Sequence, residues 1–146
     1  MGKLSVSRAC HTASLAIALA LSFASTSATA DVVAVVSSKS AITALSKPQL
    51  TDIFLGRVSR FPNGGQVVPL DQAEGSAARE RFYTKVAGRT AAQMKAYWSK
   101  IIFTGRGQPP TEVSDGVELK KRLAANVEAI GYMDESLVDD SVRVIP

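Results

Sequence analysis

The stretch Asp31-Val32-Val33-Ala34-Val35-Val36 is an almost unbroken β-branched run, apolar on both of its alternating faces. Successive side chains of a strand point to opposite sides of a sheet, so a strand that is apolar on both sides must be covered on both. That requirement leads to a layered α/β arrangement with helices for each face. The chain supplies them. Ser46-Lys47-Pro48-Gln49 has the Ser-x-x-Gln form of a capping box with proline in the first turn, and Leu50, Ile53 and Phe54 form a buried stripe before Gly56 ends the helix. Phe61 to Gly65 turns into a strand from Gln66 to Leu70. A helix follows with Ala78, Phe82 and Val86 at spacings of four, until Gly88 breaks the pattern. Thr90-Ala91-Ala92-Gln93 is a second capping box, and Met94, Tyr97, Trp98, Ile101 and Ile102 behind it fall at helical spacing as core. Asp115 to Ala125 reads as a weaker helix, Ala129 to Met133 as a strand, Asp134 to Val138 as a turn or short helix, and Val142 to Ile145 as a closing strand. The expected fold is an α/β sandwich with a mostly parallel sheet of about four or five strands.

The first thirty residues have a different grammar. Lys3 and Arg8 precede an apolar run from Ala13 to about Ala24, and Ser25-Thr26-Ser27-Ala28-Thr29-Ala30 follows as a small-residue cleavage site. These features predict a signal peptide over residues 1–30, export to the periplasm, and one α/β domain over residues 31–146. The apolar run is shorter than the roughly 20 residues that span a bilayer, so no membrane insertion is expected after cleavage. Cleavage would also remove the only cysteine, Cys10, and the only histidine, His11. Disulfides, zinc sites built on Cys or His, and any Ser-His-Asp triad would go with them. Two basic and no acidic residues lie in the segment, so the net charge falls from +4 to +2. So small a balance does not point to nucleic acid. No cofactor is expected, and no paired carboxylates with a nucleophile suggest an enzyme.

The candidate site is the polar turn between the strand at 66–70 and the helix after it. A helix N-terminus leaves up to four N–H groups unpartnered and carries partial positive charge, which suits an oxyanion. Gly75 lets a ligand approach the backbone and Ser76 offers a hydroxyl, although Glu74 or Ser76 would serve equally as a cap. Ser38 is a second candidate, in the Ser37-Ser38-Lys39-Ser40 segment at the carboxyl end of the first strand. Arg106, between Gly105 and Gly107, is a third, in a loop able to form an anion-receptive concavity.

Taken in order, Leu50-Thr51-Asp52-Ile53-Phe54-Leu55-Gly56-Arg57, Glu74-Gly75-Ser76 with Phe82, and Ala129-Ile130-Gly131-Tyr132 resemble the phosphate-binding receptors of periplasmic ABC importers. Full-length members have two α/β lobes that close on the anion, and these motifs belong to the second. The chain is similar to the short, single-lobe form of the phosphate transporter substrate-binding family, with Tyr97-Trp98-Ser99-Lys100 and Phe103 to Pro110 among the shared segments. The resemblance implies a single-lobe, periplasmic-binding-protein-like (type II) fold. The family's turn reads Arg-x-Asp-Gly-Ser-Gly-Thr and aligns with Gln72, Ala73, Glu74, Gly75, Ser76, Ala77 and Ala78, which implies Gln72, Glu74, Gly75, Ser76 and Ala77 at the ligand, with Gln72 in place of the arginine and Ala78 in place of the threonine. Arg79, one turn into the helix, is the candidate substitute for the missing guanidinium. The implied ligand is phosphate or a similar oxyanion. The implied partner is an ABC importer or another periplasmic or membrane protein, with a second copy of the chain as a further candidate. An interaction module that keeps the lobe but has lost the anion is the alternative.

Overall fold

The computed structural model describes Gly2 and residues 30–146; the expected signal peptide and its cleavage site, with Cys10 and His11, lie outside the described residues apart from Gly2 and Ala30. Five strands form one sheet: β1 (Val32–Ser37), β2 (Val68–Gln72), β3 (Thr111–Val113), β4 (Ala129–Asp134) and β5 (Val142–Ile145), in the order β3-β2-β4-β1-β5. Four helices are interleaved with them: α1 (Lys47–Phe54), α2 (Ala77–Ala87), α3 (Ala91–Phe103) and α4 (Gly116–Ala125), and a short 3-10 turn covers Glu135–Leu137. No helix among the described residues is long and apolar enough to cross a membrane.

β1 behaves as its composition demands. Val32, Ala34 and Val36 join a core with Leu50, Ile53 and Phe54 of α1, Phe82 and Tyr83 of α2, and Met94 and Trp98 of α3. Val35 faces the other way into a second core with Leu119 and Leu123 of α4. Both capping boxes form as expected, Ser46 with Gln49 and Thr90 with Gln93. On the α4 side, the backbone of Gly131 lies so close to Leu119 that a Cβ there would come within 2.8 Å of its Cδ1. Only glycine lets this helix approach the sheet so closely.

Two expectations need correction. The sheet is mixed rather than mostly parallel: β2 runs parallel to β3 and β4, whereas β1 is antiparallel to both β4 and β5. Apolar patterning fixes which faces are covered but carries no direction. The second is the end of β2, which pairs with a three-residue edge strand formed after Pro110. β2 itself extends two residues past the expected Leu70, through Asp71 to Gln72.

Candidate functional site

The carboxyl end of β2 delivers Asp71 and Gln72 to opposite faces, and the two side chains are held there differently. Asp71 is 2% exposed and lies on the α2 side. Its carboxylate accepts from the Tyr132 hydroxyl and, at 2.8 Å, from the Tyr83 hydroxyl, and the Arg79 guanidinium stands 3.3 Å away. Burial pushes the Asp71 carboxyl up from its ordinary value, against the downward pull of Tyr132, Arg79 and Tyr83. The same burial, reinforced by the Asp71 charge, pushes both phenols up, so they remain donors at neutral pH.

Gln72 points the other way. Its Nε2 donates to the Tyr132 carbonyl at 3.0 Å and lies 4.0 Å from where Gly116 would carry a Cβ, at the start of α4. Strand alternation thus puts the residue aligned with the family arginine on the face away from α2.

The turn itself is built on Gly75, which is exposed with φ +87° and has open space where a Cβ would stand. Ser76 is the N-cap of α2, its Oγ accepting from the Arg79 N–H at 3.2 Å. The N–H groups of Ala77 and Ala78 have no backbone partner among the described residues. Glu74 is exposed and pairs with Lys95 of α3 at 3.2 Å. Arg79 stretches from Asp71 toward Glu112 of β3, at 3.8 Å, with its guanidinium 5.8 Å from the centre of the Tyr83 ring.

The structure brings Glu74, Gly75, Ser76, Ala77 and Arg79 together, leaves Ser38 at the other end of the sheet, and does not include Arg106 among the residues around the turn's cavity. Ser38 follows β1, and because β1 is antiparallel to β4 its carboxyl end is at the opposite end of the sheet from Gln72. The Ser38 carbonyl accepts from Arg143 at 2.8 Å, which ties that loop to β5. Arg106 is exposed, and its N–H bonds the Ile101 carbonyl while the Gly105 N–H bonds that of Ile102, closing α3 with a left-handed glycine. The glycine beside Arg106 therefore terminates a helix.

Between α2, α3 and the segment leading into β3 lies a cavity of about 330 Å³. Asp71, Glu74, Gly75, Arg79, Glu80 and Glu112 supply its polar wall, and Met94, Trp98, Ile102, Pro109 and Pro110 most of its apolar one. Asp71, Tyr83, Lys95 and Glu112 were absent from the expected site. A lone carboxylate at the end of an apolar strand was the available signal for Asp71, and the pairing of Tyr83 and Tyr132 with it depends on tertiary contact. No group of three or more acidic or imidazole side chains among the described residues is placed to hold a metal ion.

No known protein-family model matches the chain, and no curated protein matches it by sequence. Solved structures do match by fold. An ABC-type phosphate transport receptor from Vibrio cholerae superposes with a TM-score of 0.61 at 18% identity, over 79% of this chain and 45% of that one. A substrate-binding protein of a phosphate ABC transporter from Clostridium perfringens, solved with bound phosphate, gives 0.61 at 19%, over 79% and 44%. A possible phosphate-binding protein from Planctomyces limnophilus gives 0.56 at 12%, over 79% and 40%. The chain thus spans less than half the length of each of these structures. It has the fold of one part of a phosphate-transport substrate-binding protein, as the ordered motifs of its sequence imply.

Proposed function

We propose that the protein is an exported, periplasmic domain that binds phosphate or a similar oxyanion and works with an ABC importer or a sensing system, without catalysing a reaction. The observation that carries this reading is the left-handed turn at Gly75, which opens onto the unpartnered amides of Ala77 and Ala78 at the positive end of α2. The fold it shares with phosphate receptors supports the same reading.

Glu74 gives the reading its selectivity. A carboxylate beside an anion is favourable only where the anion brings a proton to donate, as phosphate does near neutral pH and sulfate does not. Phosphate should therefore bind more tightly than sulfate. Glu74→Gln, whose carboxamide donates to either anion, should shrink the difference, by under about 1 kcal/mol because the side chain is exposed and paired with Lys95. Calorimetric titration of both proteins with both anions at constant ionic strength is the test. Equal wild-type affinities would remove Glu74 from selectivity.

A second reading, an interaction module that keeps the lobe without the anion, draws on the engagement of Arg79 by Asp71 and Glu112 and of the Ser76 hydroxyl by the α2 backbone. Absence of binding by either anion would favour it.

A further inference from the structure

The cavity beside the turn is larger than a free inorganic anion fills. Its volume of about 330 Å³ falls in the range of pockets that enclose organic ligands. Its apolar lining has the buried Met94 and Trp98 at the back and Ile102, Pro109 and Pro110 at the surface, and Ile102 is 56% exposed and outside the core clusters. Burying that surface is favourable for any ligand with an apolar body.

Charge then decides the kind of ligand. Four carboxylates, Asp71, Glu74, Glu80 and Glu112, stand in the walls against two cations, Arg79 and Lys95. The cations are already committed: Arg79 lies between Asp71 and Glu112, and Lys95 is on Glu74. Glu80 has no ion-pair partner among the described residues, and Glu112 shares its only one, at 3.8 Å, with Asp71. The excess is two negative charges with Asp71 ionised, and one if its burial keeps it protonated.

We propose that this cavity binds a small organic cation with an apolar body, an aryl- or alkyl-ammonium, whose charge lies toward Glu80 and Glu112 and whose body covers Ile102, Pro109 and Pro110. The cavity shares Glu74, Gly75 and Arg79 with the oxyanion reading, but this proposal draws on Glu80, Glu112 and the apolar wall, which that reading does not use.

Three probes of one size and different charge test it: phenethylamine, 2-phenylethanol and phenylacetate. Trp98 is the only tryptophan of the chain, so its fluorescence reports on the cavity wall, with calorimetry as the second readout. The amine should bind roughly three- to tenfold more tightly than the alcohol, and the carboxylate most weakly. Glu80→Gln/Glu112→Gln should abolish the preference for amine over alcohol while leaving the alcohol's affinity in place. Both side chains are exposed, and a melting curve checks that the variant is folded. Ethylamine, which lacks the body, should bind at least tenfold more weakly than phenethylamine. Equal binding of amine and alcohol, tightest binding by phenylacetate, equal binding of the two amines, or no binding at all would each overturn the proposal. Every outcome is read in phosphate-free buffer, so this proposal and the oxyanion reading can fail separately.

Discussion

The Tyr83 hydroxyl donates to Asp71 Oδ2 at 2.8 Å, joining the second turn of α2 to the end of β2 inside the core. Removing a donor from a buried carboxylate costs about 1–3 kcal/mol, more than the same bond contributes when both partners are replaced. Tyr83→Phe should therefore destabilise by about that amount. The pH dependence follows from the sign of the Asp71 shift. Its folded value lies above the ordinary 3.8, so its contribution is greatest at low pH and is lost as pH rises from 3.8 through the folded value. Losing the Tyr83 donor pushes that value higher and widens the window. Urea denaturation across pH measures both effects. A loss under about 0.5 kcal/mol, or an Asp71→Asn/Tyr83→Phe double variant whose cost is the sum of the single ones, would show that the bond is not coupled.

Ser76→Ala should lower stability by about 1 kcal/mol even without any anion, because the hydroxyl caps α2 by accepting from Arg79 N–H. A cap is lost from the folded state whether or not a ligand is present. Thermal melts in phosphate-free and phosphate-containing buffer separate the two roles: an unchanged melting temperature without phosphate would show that the hydroxyl serves only the ligand.

Glu118 governs part of the acid limb. Its carboxylate accepts from the Ser114 N–H at 3.0 Å, from the Ser114 hydroxyl at 2.7 Å, and from Arg122 at 2.6 Å. These donors, the Ser114 amide foremost, hold its carboxyl well below the usual range, at about 2. A depressed folded value means that the stabilisation is complete above the unfolded value of 4.5 and is lost as pH falls through about 2. Glu118→Gln should flatten the melting temperature over that interval relative to wild type. Parallel curves for the two proteins would contradict it.

The sequence carried local chemistry further than it carried placement. Ser46 with Gln49 and Thr90 with Gln93 were legible because a capping box is written within four residues. The cover on both faces of β1 was legible because composition records burial. The direction of β1 was not, since an apolar strand reads the same either way, and that ambiguity assigned Ser38 to the wrong end of the sheet. Thr111–Val113 escaped because two of its three residues are exposed and a Pro-Pro pair precedes it. At the site, Glu74-Gly75-Ser76 was visible as a turn. The Asp71, Tyr83 and Tyr132 cluster joins residues up to 61 positions apart, and no local pattern records such a meeting.

The position of β1 also sets the order in which this chain can fold. Both of its neighbours come from the last stretch of the polypeptide: Val32 pairs with Asp134 and Ala34 with Ile145. Bringing together ends about 100 residues apart costs roughly 4 kcal/mol in chain entropy before any contact offsets it. Helices α1 to α3 can form early, but the sheet they rest on lacks β4 and β5 until residues 129–145 have been made. Until then β1 lacks both of its strand partners, whatever helices have formed beside it. Pairing across such separations gives the sheet the slow folding kinetics of long-range strand contacts.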